Sequence, residues 1–167
     1  REAAHYIEAE QLLQHALQKA EQEYPDNSRV AAAANHLGLL YHDQGRLAEA
    51  EPLYARALAI WEKQWGPEHE DVAAALNNLA EVAHAEGDWS RAEPLYERVL
   101  AIERKVLGAA HPDVAISLNN LAELYRKQGR ESAAESLYYL ALTLMETAHG
   151  ANHQGLGPVL NDLAVLY

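Results

Sequence analysis

The sequence predicts an all-α solenoid of tandem helix pairs, and three observations carry that prediction. The first is a repeat. VAAAANHLGLLYHDQG at 30–45, VAAALNNLAEVAHAEG at 72–87 and VAISLNNLAELYRKQG at 114–129 stand 42 residues apart, and a clipped copy, PVLNDLAVLY, closes the chain at 158–167. A fixed period of this length marks stacked units that bury their apolar faces against one another. The second is composition: 49% of residues are hydrophobic, Phe is absent, and Ala, Leu, Glu and Gln, all strong helix formers, dominate. The third is punctuation. Gly45, Gly87 and Gly129 follow the first helix of each pair, and Gly66, Gly108 and Gly150 the second, where a left-handed residue ends a helix.

Taken in order, residues 1–24 read as the second helix (helix B) of a truncated repeat, because Tyr6–Leu17 aligns with Leu47–Leu58. Pro25-Asp26-Asn27-Ser28 forms a turn. Repeat one covers 29–66, with helix A near 29–44 and helix B near 47–64. Repeat two covers 71–108, with helices near 71–86 and 89–106. Repeat three covers 113–150, with helices near 113–128 and 131–148. A final helix A occupies 157–167 and starts near Pro158, so residues 1–167 form a single array. Pro112 and Pro158 suit a first helical turn. Pro52 and Pro94 sit about one turn into helix B and should each remove one backbone hydrogen bond. The chain starts without Met and stops inside a repeat, as expected of a piece of a longer protein.

Small residues recur where helices must nearly touch: Gly38, Ala80, Ala122 and Ala164 on helix A, and Ala50, Ala92 and Ala134 on helix B. Large residues recur between them: Leu37, Leu79, Leu121 and Leu163, then Tyr41, Tyr125 and Tyr167, then Tyr54, Tyr96 and Tyr138. With its Leu-Gly/Ala-x-x-Tyr in helix A and Ala-x-x-x-aromatic-x-x-Ala in helix B, the chain resembles the tetratricopeptide repeat family. The usual unit of that family has about 34 residues. The longer unit here, with LNNLA-x-LY-x-x-QG, AE-x-LY-x-RAL and a loop like LG-x-x-HPDVA, is similar to the repeats of kinesin light chains. Ala83 replaces the helix A Tyr in repeat two, and Val99 the helix B Ala. The resemblance implies a right-handed α-solenoid whose A helices line a concave, ligand-binding face.

A formal net charge of −12 argues against nucleic acid and anionic membrane as partners. Zero cysteines exclude disulfides, thiolate metal sites and a cysteine nucleophile. No signal peptide or membrane-length apolar run is visible, and the cytoplasm is the expected compartment. There is no phosphate-binding Gly-rich loop, no H-E-x-x-H and no nucleophile elbow, so neither an enzyme nor a cofactor is expected. His69, His111 and His153 recur at the repeat period, but successive repeats hold them too far apart for one metal ion, and a loop or capping role is expected. Trp61, Trp65 and Trp89 are expected to fill packing positions. Tyr139 and Leu140 stand where other repeats carry Ala55/Glu97 and Arg56/Arg98, which marks either a contact surface or drift between repeats.

The expected function is protein or peptide binding. Asn35, Asn77, Asn119 and Asn161 recur once per unit. Residues four and seven further along share their helical face; these include Glu81 and Glu123, then His42, His84 and Arg126, with Lys127 beside the last. Helices packed about 8–10 Å apart would offer one Asn to roughly every third peptide unit of an extended segment. Each amide supplies both donors and an acceptor. The alternative for each Asn is a hydrogen bond to the neighbouring repeat, and the adjacent His36, Asn78, Asn120 and Asp162 are expected to be structural. Asp43, Glu81 and Glu123 are acidic, whereas Arg126 and Lys127 are basic, so a mixed-charge or partly basic partner is expected. Two further expectations are end-to-end self-association through the unpaired terminal helices and, as an alternative function, a regulatory array attached to a catalytic or nucleotide-binding domain elsewhere in a larger protein.

Overall fold

The computed structural model describes residues 2–149 and 156–165. In chain order the helices are α1 (Glu2–Glu23), α2 (Ser28–Asp43), α3 (Leu47–Trp65), α4 (Glu70–Ala85), α5 (Trp89–Val106), α6 (Pro112–Lys127), α7 (Glu131–His149) and α8 (Leu156–Ala164). The described residues hold no strand. Helices α2/α3, α4/α5 and α6/α7 are the A/B helices of repeats one, two and three. Within each repeat α2 packs on α3 and α6 on α7; between repeats α1 packs on α2, α5 on α6 and α7 on α8. The chain forms two compact units, Arg1–Val82 and Ala83–Tyr167, with the boundary inside α4.

Local chemistry sets the helix ends. Asn27 caps α2 by accepting from the Arg29 N–H at 3.0 Å, and Asp88 caps α5 by accepting from the Arg91 N–H at 3.2 Å. The periodic histidines do the same work: Nδ1 of His69 accepts from the Asp71 N–H, and Nδ1 of His111 from the Asp113 N–H, both at 3.2 Å. His153 lies outside the described residues. At the other ends, Gly45 and Gly129 take φ of 72° and 75°, which lets the Arg46 and Arg130 N–H groups reach back to the Tyr41 and Tyr125 carbonyls, both at 2.8 Å. Gly66, Gly87 and Gly108 also have positive φ, while Gly150 lies outside the described residues. Both helices continue through Pro52 and Pro94, which are exposed.

The helix B tyrosines Tyr54, Tyr96 and Tyr138 are all buried. In unit 1 the Tyr54 ring lies against Gly38 so closely that a Cβ there would come within 2.7 Å of Cε1. In unit 2 Tyr138 is fully buried, as are Ala122 and Ala134. Burying an aromatic of this size removes about 150–250 Å² from water, a large share of what one helix pair can gain.

Successive repeats are joined by a polar clamp in which Tyr41 and Tyr125 do more than fill gaps. In unit 1 the Tyr41 hydroxyl donates to Glu10 Oε1 and accepts from Gln14, both at 3.0 Å. The Arg46 guanidinium lies 4.0 Å over the Tyr41 ring and pairs with Glu10 at 2.9 Å. In unit 2 Arg130 lies 3.7 Å over Tyr125 and pairs with Glu93 at 2.6 Å, and Gln128 donates to Glu93 at 3.0 Å. The arginine in each clamp holds its glutamate below the usual carboxylate range. Repeat two carries Ala83, Glu86 and Asp88 at the corresponding positions. There Glu86 pairs with Arg91 at 3.6 Å and Asp88 serves as the α5 cap.

The tryptophans depart from expectation. Trp61 is buried, but Trp65 and Trp89 are 50% and 37% exposed. They are the last residue of α3 and the first of α5, past the reach of inter-helix packing, and Trp65 instead stacks on His69 at 5.4 Å. Tyr139 and Leu140 are exposed on α7, Ile7 and Leu12 on α1, and Leu160 and Val165 at α8.

Candidate functional site: the faces of the A helices

All ten residues singled out for binding sit on α2, α4, α6 or α8, but the asparagine row is not uniform. Asn35 is buried, and its Oδ1 accepts from Asn78 Nδ2 at 2.8 Å. Asn119 is half-buried and donates to Asp162 at 3.2 Å. Both bonds run from one helix A to the next, 43 residues on. They fill the inter-repeat role held open for these amides, and they draw Asn78 and Asp162 from the adjacent row into it. A buried amide without a partner carries a desolvation cost of about 1–3 kcal/mol, which these bonds offset. Oδ1 of Asn119 is nevertheless buried without a hydrogen bond. Asn77 is half-buried and donates to Glu81 at 2.8 Å, one turn along α4, and Asn161 is exposed.

The charged residues differ between the units. In unit 1 Glu81 is half-buried, Asp43 is exposed at the end of α2, and His42 is half-buried beside it. Burial pushes the Tyr54 phenol well above its ordinary value, and the negative charges of Glu81 and Asp43 add to that rise. In unit 2 Arg126 and Glu123 are half-buried, 3.7 Å apart, and Lys127 is exposed. Arg126, Glu123 and Asp162 are the charges around the buried Tyr138 hydroxyl, and burial raises that phenol too. The Arg126 Nε and the Tyr138 hydroxyl are buried without hydrogen-bond partners among the described residues. His84 meets the Tyr96 ring edge-on at 6.5 Å. The charges that act on the two phenols therefore differ, acidic at Tyr54 and mixed at Tyr138. The Tyr54 and Tyr138 hydroxyls were missed in the sequence because their positions read as core; the small residue seven places before the closing glycine of each A-helix motif, Gly38 and Ala122, was the available signal.

Among the described residues no helix is long and apolar enough to cross a membrane. A search of the curated proteins finds no match. Among solved structures the chain is similar to BtubC (BKLC) from P. vanneervenii, at 25% identity and a TM-score of 0.90, over 99% of this chain and 66% of that one. It is also similar to a putative kinesin light chain of Podosopora anserina with nearly identical TPR-like repeats, at 25% identity and a TM-score of 0.82, over 99% of this chain and 79% of that one. The N-terminal domain of stress-induced protein-1 from C. elegans shares the fold at 16% identity and a TM-score of 0.61, over 83% of this chain and 95% of that one. The family profile described as Tetratricopeptide repeat matches residues 2–63, 29–103, 71–147 and 113–167. The chain belongs to the tetratricopeptide repeat family, and its repeats are of the kinesin light chain type.

Proposed function

We propose that this array binds an extended segment of a partner protein on the faces of its A helices, and that the segment carries mixed charge. Repeats of this family mediate protein–protein interaction. The observation that carries the finer reading is the placement of charge. After Arg29, α2 and α4 hold no Lys or Arg but present Asp43 and Glu81, whereas α6 presents Arg126 and Lys127 beside Glu123. Charges held partly out of water, as at Glu81, Glu123 and Arg126, select partners by complementarity more strongly than solvated charges do. Backbone gripping falls to Asn161, which is exposed on α8, with Asn77 and its partner Glu81 bordering the same faces. His42 and His84 border the same faces.

The test is selection of phage-displayed random peptides on the immobilised protein, followed by anisotropy titration of the enriched peptides. Arg126→Ala and Asn77→Ala should each weaken binding about three- to tenfold. Glu97→Ala, on the exposed side of helix B, should leave it unchanged. Equal affinity of wild type and both A-helix variants for every enriched peptide would overturn the proposal.

A further inference from the structure

We propose that two copies of this chain join head to tail, with α8 of one copy packing on α1 of the next as helix A and helix B of a composite repeat. This surface is separate from the peptide-binding faces above.

α1 packs on α2 and α8 on α7, and each leaves a second apolar flank exposed. The complete repeats identify those flanks. The position of Gly38 faces helix B of its own repeat, since a Cβ there would come within 2.7 Å of the Tyr54 ring. Its counterparts Ala80 and Ala122 are fully buried, whereas Ala164, the counterpart on α8, is exposed. Four residues earlier, Ala34, Leu76 and Leu118 are at most 1% exposed, but Leu160 of α8 is 47% exposed. On helix B the same contrast holds: Ala57, Val99 and Ala141 are at most 1% exposed, whereas Ala16 of α1 is exposed. Leu13 holds the Tyr54 position on α1, and Leu12 beside it is 64% exposed. Thus α8 presents the face that elsewhere covers a helix B, and α1 the face that elsewhere covers a helix A. One chain carries both halves, so a second copy can fill each in the register of the intact pairs α2/α3 and α6/α7, with Leu13 meeting Ala164. The two faces differ, so the contact is heterologous and leaves one face of each kind free after pairing. Burial of the exposed leucines drives the association. Charge agrees with the register. Arg56 of α3 pairs with Glu21 of α1, a bond between successive B helices. At the junction the corresponding residues are His15 of α1 and Glu146 of α7, both exposed and able to pair.

The test is sedimentation velocity on wild type, Leu160→Glu and Leu12→Glu, with circular dichroism melts to establish that the variants fold. The average mass of wild type should rise past that of a dimer between about 5 and 500 µM. Each substitution places a charge in one of the two faces, so either variant alone should associate at least about tenfold more weakly. An equimolar mixture restores a single contact, α8 of the Leu12→Glu copy on α1 of the Leu160→Glu copy, and should stop at a dimer. A wild type that stays monomeric over the whole range overturns the proposal. So does undiminished association of either variant alone, which would mean like faces meeting, and so does a mixture that forms no dimer.

Discussion

Units 1 and 2 use one packing rule and reach two different surfaces. In both, helix B tyrosines and the small residues of helix A are buried, and in both a Glu–Arg–Tyr–Gln clamp ties helix A to the preceding helix B. The clamps agree in detail, with arginine over the ring at 4.0 and 3.7 Å. What differs is the fringe of charge around the buried phenols, acidic at Tyr54 and mixed at Tyr138. Residues that stack the repeats are constrained by close packing, whereas those at the rim change sign without disturbing it. The difference teaches that this fold keeps the residues that stack its repeats apart from those whose charge varies, within a single helix.

The largest test of that separation is at the small residue. In unit 1 it is Gly38, fitted against Tyr54, and in unit 2 the same position is the buried Ala122. Gly38→Ala gains about 1 kcal/mol of helix propensity but places a Cβ 2.7 Å from the Tyr54 ring. Overpacking of a rigid ring costs about 1–3 kcal/mol, so a net loss is expected in urea melts. Adding Tyr54→Leu, which removes the ring, should recover that increment. The mirror change Ala122→Gly should cost about 1 kcal/mol through propensity alone. Equal and small effects at both sites would show that Tyr54 is not held as closely as described.

The clamps come next. Tyr41→Phe removes a hydroxyl that bonds both Glu10 and Gln14 and should cost about 1 kcal/mol. Tyr125→Phe should behave alike if the two clamps are equivalent. Both glutamates are held below their ordinary range by arginine, so the stability they contribute is present above the unfolded carboxylate value and is lost as pH falls through the folded one. The Phe variants should therefore fall further behind wild type at neutral pH than in strong acid.

The sequence disclosed most of the fold because the period repeats every structural instruction: the glycine ends, the small-residue seams, the tyrosines and the histidine caps at His69 and His111. It disclosed less of the site. Asn35 and Asn77 occupy the same register, yet one is buried against Asn78 and the other half-exposed beside Glu81. A repeat pattern gives both positions the same residue and does not specify these partners. The clamp was equally hidden, because Glu10, Gln14, Tyr41 and Arg46 come from two repeats and share no local motif. The exposed Trp65 and Trp89 show the converse limit, since residue type alone does not place a side chain at a helix end.

The smallest expected effect tests whether the units also differ inside. Trp61 and Ala75 in unit 1 correspond to Glu103 and Ser117 in unit 2, and both members of each pair lie mostly out of solvent. Trp61 leaves its Nε1 unpaired, and Glu103 leaves its Oε2 unpaired. Burial raises the Glu103 carboxyl above its ordinary range, opposed by the Ser117 hydroxyl and by His111 and reinforced by Asp113. A carboxyl raised in the folded state favours folding when protonated and opposes it when ionised. Its penalty is therefore absent below the unfolded carboxylate value and complete above the folded one. Glu103→Gln keeps the shape and removes the charge, so it should raise the melting temperature by about 1–3 °C at neutral pH, on the scale of a fraction of a kcal/mol for a chain of this size. Below the unfolded carboxylate value the two proteins should melt together. A variant that is less stable than wild type at neutral pH would mean that the ionised carboxylate is stabilised there, and that Ser117 replaces Ala75 in order to hold a charge.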